Sequence, residues 1–368
     1  MRLLFRVDSG RIIGYGHIRR ALVLASLVSR DRGTQCLFLS IDHPERFVHE
    51  FPTYILPRND QHIVTSDPNS WLGDNYQNEI KLLIEQVIQP DDYLYVDHYG
   101  VNREWEIAIH PHVKKIVILD DSGFSKSLSD ASAPEGFSKS LSDASAPEGF
   151  SKQHQCDVLI NQTEPIKPLM YTGLYLGGLD YAIINPILSQ YRIVKSVCVD
   201  VQRVFRKPIL TIALGTCLDH SIVHRLIACL DNGTMMINLI GNYPEIHRFS
   251  SNLDNIRQYQ SLSPDQLGEI YQESDLAIGA GGVMTLEMIY IGLPVIVVSV
   301  ASNQLVQCQY LREKGLIQYL DHQHDWSETK LQKMVNHYLG HDQVEHRQKC
   351  QVAVDGCGAQ RIVSKLYP

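Results

Sequence analysis

The chain has 368 residues, of which 44% are hydrophobic and 20% are charged, a balance typical of a globular protein with a sizeable core. This length is more than twice that of a common single domain, so two domains are expected. The formal net charge is −8, from 33 Lys and Arg against 41 Asp and Glu. Nucleic-acid-binding domains carry a basic stripe or cluster. The acidic balance of this chain argues against such a domain, so no nucleic-acid partner is expected.

Three sequence features predict the compartment in which the protein works. No apolar run is long enough to cross a bilayer, so no membrane partner is expected. The first residues alternate like a strand and lack the apolar centre of a signal peptide. The 8 cysteines are scattered without metal-binding spacing, which is typical of reduced thiols in the cytosol. We therefore expect a cytoplasmic protein.

Short apolar runs alternate with amphipathic patterns along both halves of the chain. Strand-like runs occupy residues 3–7, 35–39, 93–97, 115–119 and 157–161 in the first half, and 209–214, 234–240, 275–278 and 294–298 in the second. Helical patterns lie between them, for example at 18–29 and 78–88. This alternation predicts an α/β protein with two Rossmann-like parallel-sheet domains and a cleft between them.

The domain boundary is expected near 195–207. We predict an N-terminal Rossmann-like domain at 1–194, a C-terminal nucleotide-binding domain at 208–345, and a final helix within 346–368 that packs back on the first domain. Residues 123–135 are repeated without change at 136–148. The Ser/Ala-rich segment 123–152 is therefore predicted to be an exposed, largely unstructured insert, although a duplication from gene assembly would look the same.

A glycine-containing loop joins the first strand to the first helix. Gly14 and Gly16 let backbone N–H groups approach a ligand closely, and the positive end of the following helix points at the same place. His17 begins that helix, where the dipole disfavours an imidazolium, so its neutral ring could act as a general base. On this pattern alone, His17 could equally be a structural residue that caps the turn.

A second strand–glycine–helix unit lies in the other half of the chain. Gly281 and Gly282 follow the strand at 275–278, and Glu287 comes early in the next helix, where it could accept hydrogen bonds from a ribose diol. An early acid also complements a helix dipole, so Glu287 has an ordinary structural explanation too. Two such units, one in each half, favour a nucleotide site between the domains.

Polar residues follow several other strands and should reach the same edges of the sheets. Asn303 and Gln304 supply side-chain amides, which taken alone are ordinary loop polarity, and Tyr99 and Gly215 each follow an apolar strand. The adjacent acids at 120–121 are interpreted as turn or cap residues, since neighbours in sequence need not share a face. No metal site is predicted.

Several motifs, taken together and in this order, resemble one known family. They are Arg6-x-Asp8, Ile13-Gly14-x-Gly16-His17-x-x-Arg20, Val96-Asp97-His98-Tyr99, Asp120-Asp121, Tyr175-Leu-Gly177 with Tyr181-Ala, Gly281-Gly282-x-x-Thr285-x-Glu287, Gly292-Leu-Pro294, Asn303-Gln304 and Asp355-Gly356-x-Gly358-Ala359-x-Arg361-Ile362. The chain resembles the UDP-2,4-diacetamido-2,4,6-trideoxy-β-L-altropyranose hydrolases of pseudaminic acid biosynthesis. That family is related to the spore-coat polysaccharide glycosyltransferase-like proteins and, more distantly, to the N-acetylglucosaminyltransferase that makes lipid II.

The resemblance covers nearly the whole chain except 123–152. It implies a GT-B-like fold, a UDP-sugar substrate, no cofactor, and metal-independent hydrolysis with inversion at the anomeric carbon. His17 matches the family's base, and Tyr99 and Asn303 would position the sugar and the diphosphate. The other expected substrate-binding residues are Asp8, Gly14, Gly16, Gly215, Gly281, Gly282, Thr285, Glu287 and Gln304.

Three positions depart from the family pattern and leave the exact sugar open. Thr216 stands in place of the second glycine of a pair, Asn185 in place of an arginine, and Val283 in place of a small hydroxyl residue.

These observations predict hydrolysis of a UDP-linked 2,4-diacetamido-2,4,6-trideoxy sugar, which releases UDP and the free sugar for pseudaminic or another nonulosonic acid. Two alternatives stay open. The protein could be a glycosyltransferase that passes the sugar to an acceptor, or a non-catalytic homologue that only binds the nucleotide sugar. The sequence does not determine the oligomeric state.

Overall fold

The structure is a computed structural model. It describes residues 2–41, 50–58, 63–65, 67–73, 75–121, 154–163, 171–193, 206–215, 219–248, 253–300, 304–321, 327–341 and 343–367. Within these residues no helix combines the length and the apolar character needed to cross a membrane. The repeated segment at 123–152 lies outside the described residues, so its exposure stays a prediction.

Seven parallel strands form the first sheet in the described part of the chain, in the order β3-β2-β1-β4-β5-β6-β7. They are β1 (Arg2–Val7), β2 (Gln35–Ser40), β3 (Thr53–Ile55), β4 (Tyr93–Asp97), β5 (Lys115–Leu119), β6 (Val158–Asn161) and β7 (Leu174–Gly177). The α-helices described in this half are α1 (Gly16–Arg32), α2 (Tyr76–Leu82) and α3 (Arg103–Ile109). Successive side chains of a strand point to opposite faces, so Leu3 and Phe5 of β1 lie in one core and Leu4 lies in another.

Six parallel strands form the second sheet, again counting described residues, in the order β10-β9-β8-β11-β12-β13. They are β8 (Ile209–Ala213), β9 (Met236–Ile240), β10 (Ile256–Tyr259), β11 (Leu276–Gly279), β12 (Val295–Ser299) and β13 (Gln318–Asp321). The α-helices described after β8 are α4 (His220–Leu230), α5 (Pro264–Glu273), α6 (Val283–Ile291), α7 (Leu305–Glu313), α8 (Glu328–Gly340), α9 (Val344–Ala353) and α10 (Gly358–Leu366). Every residue of β11 and β12 is buried, as expected for parallel strands that helices cover on both faces. The predicted class, two Rossmann-like parallel-sheet domains, is confirmed.

The strand order reverses once in each sheet, and this reversal places the loops of interest. In the first sheet it falls between β1 and β4, and in the second between β8 and β11. Ligands of open α/β sheets bind outside the carboxyl ends of strands at such a reversal. The loops that begin at Asp8, His98, Leu214 and Ala280 follow these four strands.

The chain crosses between the two domains before and after the second sheet. Ile184 and Leu188 lie in a core of the second domain, whereas Ile362 and Leu366 of α10 lie in a core of the first. Gly358 begins α10 directly against the backbone of Ala182, where a Cβ would collide with the carbonyl oxygen. The bounds 1–194, 208–345 and 346–368 stay a prediction.

Candidate active site

The loop after β1 closes on itself before α1 begins. The N–H of Gly14 donates to the carbonyl of Gly10 at 2.8 Å, and the N–H of Gly10 donates to the carbonyl of Gly14 at 3.2 Å. Gly14 has a φ of 91°, which residues with a side chain rarely adopt. Tyr15 precedes α1 without a side-chain cap, and the first turn has no acidic residue. The N–H groups of that turn are therefore available to an anion.

His17 is the second residue of α1 and is 7% exposed. Its Nδ1 lies 2.5 Å from Oδ1 of Asp97, the last residue of β4. So short a distance requires a proton between the two atoms, so Nδ1–H donates to the carboxylate. In this tautomer Nε2 is the ring nitrogen that can carry the lone pair. Within the described residues Nε2 makes no hydrogen bond. The group that orients the ring is thus Asp97, which the sequence motif Val96-Asp97-His98-Tyr99 contains but to which no role was assigned.

Asp97 is held from its other side by a buried arginine. Arg20 donates from Nε to Oδ2 of Asp97 at 2.5 Å and from Nη2 to Oδ1 at 2.7 Å, a bidentate pair. Although burial favours the neutral acid, the charge of Arg20 and the hydrogen bonds that Arg20 and His17 donate hold the pKa of Asp97 well below its usual range. The carboxylate that orients His17 is therefore ionised.

The same arginine reaches a second buried acid. Nη1 of Arg20 donates to Oδ2 of Asp121 at 2.5 Å, and Gln162 donates to the same carboxylate from its backbone and its side chain. Asp120 points elsewhere and pairs with His154 at 3.1 Å. The interpretation of the acids at 120–121 as turn or cap residues is therefore corrected, because both side chains are buried in ion networks.

Two aromatic rings pack against the ring of His17. The Tyr99 ring lies 4.8 Å from the His17 ring, edge to face, and Trp71 lies 6.1 Å from it. Trp71 also contacts Tyr99 at 5.9 Å. Burial raises the pKa of Tyr99 well above its usual value, against the opposing charge of Arg20, so the phenol stays protonated. Tyr99 can position a ligand but is unsuited to act as a base. Trp71 lies in a loop that carries no motif, so no sequence signal identified it.

Asp8 lies in the interior and its carboxylate is fully occupied. It accepts hydrogen bonds from Arg6 at 2.7 Å, from the Ser40 hydroxyl at 2.9 Å, from the backbone of Ile41 at 2.7 Å and from His98 at 2.9 Å. A carboxylate has about four lone-pair positions, and all are taken. In this arrangement Asp8 fixes the loops that follow β1, β2 and β4, and its role in substrate binding stays a prediction.

The second glycine loop follows β11 and begins α6. Gly281 packs so closely against Cys308 that a Cβ there would collide with Sγ, whereas Gly282 faces open space. The Thr285 hydroxyl donates to the carbonyl of Ala280 at 2.5 Å and is fully buried. The Thr285 hydroxyl thus holds the loop, and its expected contact with substrate stays a prediction. Gly282 precedes α6 without a side-chain cap.

Glu287 is the most unusual acid of this site. It lies in the second turn of α6, later than expected, and is 5% exposed. Among the described residues, its Oε2 atom has no hydrogen-bond partner. Burial raises the pKa of Glu287 to about 7, against the opposing charge of Arg19. A buried carboxylate oxygen without a partner is a costly arrangement that a bound ligand would relieve.

The two glycine loops meet at one point, which we call the junction. A Cβ on Gly16 would lie 3.3 Å from Cγ2 of Val283, the first residue of α6. One turn further along each helix, the charge of Arg19 reaches Glu287. The starts of α1 and α6 therefore face each other across the two domains. The sequence predicts that the two glycine loops border one site between the domains, because both follow the carboxyl ends of strands.

The remaining predicted residues lie around the junction or outside the described residues. Gly215 follows β8 with a φ of 64°, and a Cβ added there would meet no atom of the described residues within 4 Å. Gln304 precedes α7, packs against Gly281, and accepts a hydrogen bond from the backbone of Val300 at 3.2 Å. Asn303 and Thr216 lie outside the described residues. Within those residues, no group of three or more His, Cys, Asp and Glu side chains is placed to hold a metal ion.

Comparison with known structures identifies the class of fold. The chain is similar to MurG of Acinetobacter baumannii at 13% identity, with 99% of each chain covered and a TM-score of 0.58. It is similar to the spinosyn rhamnosyltransferase SpnG in complex with thymidine diphosphate at 13% identity, with 100% of each chain covered and a TM-score of 0.63. A UDP-N-acetylglucosamine 2-epimerase matches at 10% identity over 100% of this chain and 95% of that chain, with a TM-score of 0.59. The protein has the GT-B fold of glycosyltransferases.

The family comparison is narrower. The model of the glycosyltransferase family 28 C-terminal domain matches residues 224–359, which include α6 and Glu287. No curated protein sequence matches the chain significantly. The second half of the chain is thus similar to glycosyltransferase family 28, and the roles of the individual site residues stay predictions.

Proposed function

We propose that the protein is an enzyme that binds a UDP-sugar at the junction and hydrolyses it to UDP and the free sugar. The observation that carries the proposal is the pairing of His17 with Asp97 beside the point where α1 and α6 begin. A histidine that a carboxylate orients is the usual arrangement of a general base. Its position next to two uncapped helix starts puts that base beside a site suited to phosphate.

The nucleotide would be held by the second domain. Glu287 offers an unpartnered, buried oxygen that can accept a hydrogen bond from a ribose hydroxyl. The first N–H groups of α6, which no side chain caps, can bind the diphosphate. The similar fold of SpnG was solved with thymidine diphosphate, and this supports a nucleoside diphosphate as the ligand of the same fold here.

The hydrolysis follows from the free lone pair of His17. Nε2 takes a proton from a water molecule while the water oxygen bonds to the anomeric carbon. The bond between that carbon and the diphosphate oxygen breaks, its electron pair leaves with UDP, and attack from the opposite face inverts the carbon. Asp97 stabilises the imidazolium that forms, since it already accepts the Nδ1–H bond.

The sugar is proposed from the resemblance to the pseudaminic acid pathway hydrolases, which implies a 2,4-diacetamido-2,4,6-trideoxy sugar. Two of the departures from that family have defined places in the structure. Val283 lies at the junction against Gly16, and Asn185 accepts a hydrogen bond from the backbone of Ile187 at 3.1 Å. Asn185 therefore caps a turn. Of these two departures from the family pattern, Val283 is the one that borders the proposed ligand site.

A glycosyltransferase is the second candidate. The match of residues 224–359 to a glycosyltransferase domain favours it, and so does the similarity of the fold to the rhamnosyltransferase. In that case the hydroxyl of an acceptor would replace water and would give its proton to His17. The two reactions differ in whether UDP is released when no acceptor is present.

The deciding experiment measures UDP release from a panel of UDP-sugars without acceptor, in water enriched in heavy oxygen. Hydrolysis at the anomeric carbon places the heavy oxygen on the sugar and none in UDP. Release that requires an added acceptor would identify the transferase. Heavy oxygen in UDP would show attack at phosphorus and reject the mechanism. UDP binding with no turnover of any sugar would identify a non-catalytic binding protein.

A further inference from the structure

Arg19 is a positively charged residue at the junction. It follows His17 by two positions in α1 and is partly buried. Within the described residues, its guanidinium makes no hydrogen bond and no ion pair. The adjacent Arg20, by contrast, forms ion pairs with both Asp97 and Asp121. The guanidinium of Arg20 is therefore held by buried carboxylates, whereas that of Arg19 is available to a ligand.

Arg19 lies on the side of α1 that faces the second domain. Gly16, one turn earlier on α1, approaches Val283 at the start of α6. The charge of Arg19 acts on Glu287, one turn later on α6, and also on Tyr271 of α5. Residues three and four positions apart share a helix face, so the placement of Arg19 opposite Glu287 follows from the same contact.

The described residues around Arg19 do not neutralise its charge. The starts of α1 and α6 have no side-chain caps and no acids in their first turns, so both add positive potential. Glu287 is the acid opposite, and burial raises its pKa to about 7, which leaves it only partly ionised in neutral solution. Its Oε2 atom and the Tyr271 hydroxyl have no hydrogen-bond partner among the described residues. A ligand that brings both an anion and hydroxyl donors fits these groups.

We propose that Arg19 binds the diphosphate of the nucleotide sugar and makes the site selective for a nucleoside diphosphate over an uncharged nucleoside. This inference rests on the proposed function. A guanidinium presents parallel N–H donors that match two phosphate oxygens. At the end of the diphosphate where the sugar is cleaved, the same charge stabilises the leaving UDP.

The test compares UDP with uridine as ligands. Binding of each is measured by calorimetry for the wild type, Arg19→Gln, Arg19→Lys and the control Arg30→Gln, which changes an exposed arginine near the other end of α1. We expect Arg19→Gln to weaken UDP binding by about 10- to 100-fold, the usual worth of charge-assisted hydrogen bonds. Uridine binding should change by less than about 2-fold. Arg19→Lys should recover most of the UDP affinity, and Arg30→Gln should match the wild type.

Repeating the measurement at pH 9 separates a direct contact from an effect through Glu287. Two other residues near Glu287 must be considered when binding at the two pH values is compared. Tyr271 is the titratable residue on α5, and Gln351 of α9 contacts the far end of α6 at the carbonyl of Ile291. At pH 9 Glu287 is ionised with or without Arg19, so a loss of UDP affinity that persists supports the direct contact.

Three results would overturn the inference. A loss that disappears at pH 9 would show that Arg19 acts only on the ionisation of Glu287. An equal loss for uridine and UDP would show a structural role. A wild-type protein that binds no UDP would reject the proposed function itself, whereas the first two results leave that function intact.

Discussion

Gly16 and Val283 define how closely the two domains approach each other at the junction. A Cβ on Gly16 would lie 3.3 Å from Cγ2 of Val283, which is closer than ordinary van der Waals contact between carbon atoms. Gly16 begins α1 and has no positive φ, so alanine could adopt its backbone conformation without strain. The requirement for glycine at this position therefore comes from the other domain.

Gly16→Ala is expected to separate the two loops and to lower turnover by about 10-fold, the effect of roughly 1.4 kcal/mol of overpacking. The stability of the protein should change little, because alanine favours the helix. The double variant Gly16→Ala, Val283→Ala should recover most of the activity, since it removes the opposing methyl groups. Steady-state kinetics of the four proteins form a double-mutant cycle. Additive effects of the two substitutions would show that the residues do not meet in the working enzyme.

The effects of His17→Gln and Asp97→Asn on turnover are expected not to add. His17→Gln or His17→Ala should bind UDP normally and lose turnover by roughly 10²–10⁴-fold, the worth of a positioned base. Asp97→Asn should lose a similar factor, because an amide no longer fixes the proton on Nδ1. The double variant should be no slower than the worse single variant.

Asp97 also pairs with Arg20, so folding of its variant needs a control. Gln162→Leu removes a hydrogen bond to Asp121, at the other end of the same network, without touching His17. If Gln162→Leu lowers stability as much as Asp97→Asn yet keeps turnover, loss of activity in Asp97→Asn is chemical. Full activity in the His17 variants would make that residue structural.

Glu287 is expected to make stability depend on pH. Its pKa is about 7 in the folded protein against an ordinary value of 4.5, so the folded state binds more protons than the unfolded state between these values. The free energy of unfolding should therefore fall as pH rises from about 4.5 through about 7. Glu287→Gln should remove this slope, and the exposed carboxyl of Glu313 provides the control Glu313→Gln. Denaturant titrations across this range that show the same slope in all three proteins would contradict the prediction.

The affinity for UDP is expected to depend on pH in the opposite direction to stability. In the proposed site, ribose hydroxyls would donate to the ionised form of Glu287, so UDP affinity should rise with pH through about 7. In Glu287→Gln the affinity should be weaker and independent of pH over this range. A titration of the UDP-induced rise in melting temperature at several pH values measures it. No rise at millimolar UDP would count against the nucleotide site.

His154 is expected to stabilise the first domain below pH 9. It donates to Glu106 at 2.8 Å and to Asp120 at 3.1 Å. Burial opposes its charge, but these two carboxylates raise the pKa of His154 to about 9. A histidine with a raised folded pKa contributes its full stability below its ordinary pKa of 6.5, and that contribution is lost as pH rises through about 9.

The substitution His154→Gln should therefore destabilise the protein more at pH 6 than at pH 9.5. The exposed His112 offers a matched control, His112→Gln, with little effect at either pH. Denaturant unfolding at the two pH values measures both. A loss of stability that is the same at both values would show that the His154 ring packs there without its charge.

Edge strands account for the difference between the predicted and observed sheets. The runs at 35–39, 93–97 and 115–119 correspond to β2, β4 and β5, and the central strands of the second sheet agree equally well. The four strands that the pattern did not predict, β3, β7, β10 and β13, are the edges of the two sheets. Edge strands are short and carry polar residues on a solvated side, so their apolar signal is weak.

The sequence by itself determined the features that depend on near neighbours. Buried parallel strands read as apolar runs, glycines mark the loops that follow them, and the helix starts at His17 and near Val283 follow from these local signals. For the same reason the two-domain class was predictable, since repeated alternation of strands and helices has one common solution.

Only the tertiary structure decided which side chains meet. Asp97 lies against His17 because β4 pairs beside β1, and no local pattern encodes that choice of neighbour. The burial of Glu287 and the contact of Gly16 with Val283 depend on how one domain faces the other. The charge of a buried group is set by atoms that are distant in sequence and close in space, so the chemistry of this site emerges only in the folded chain.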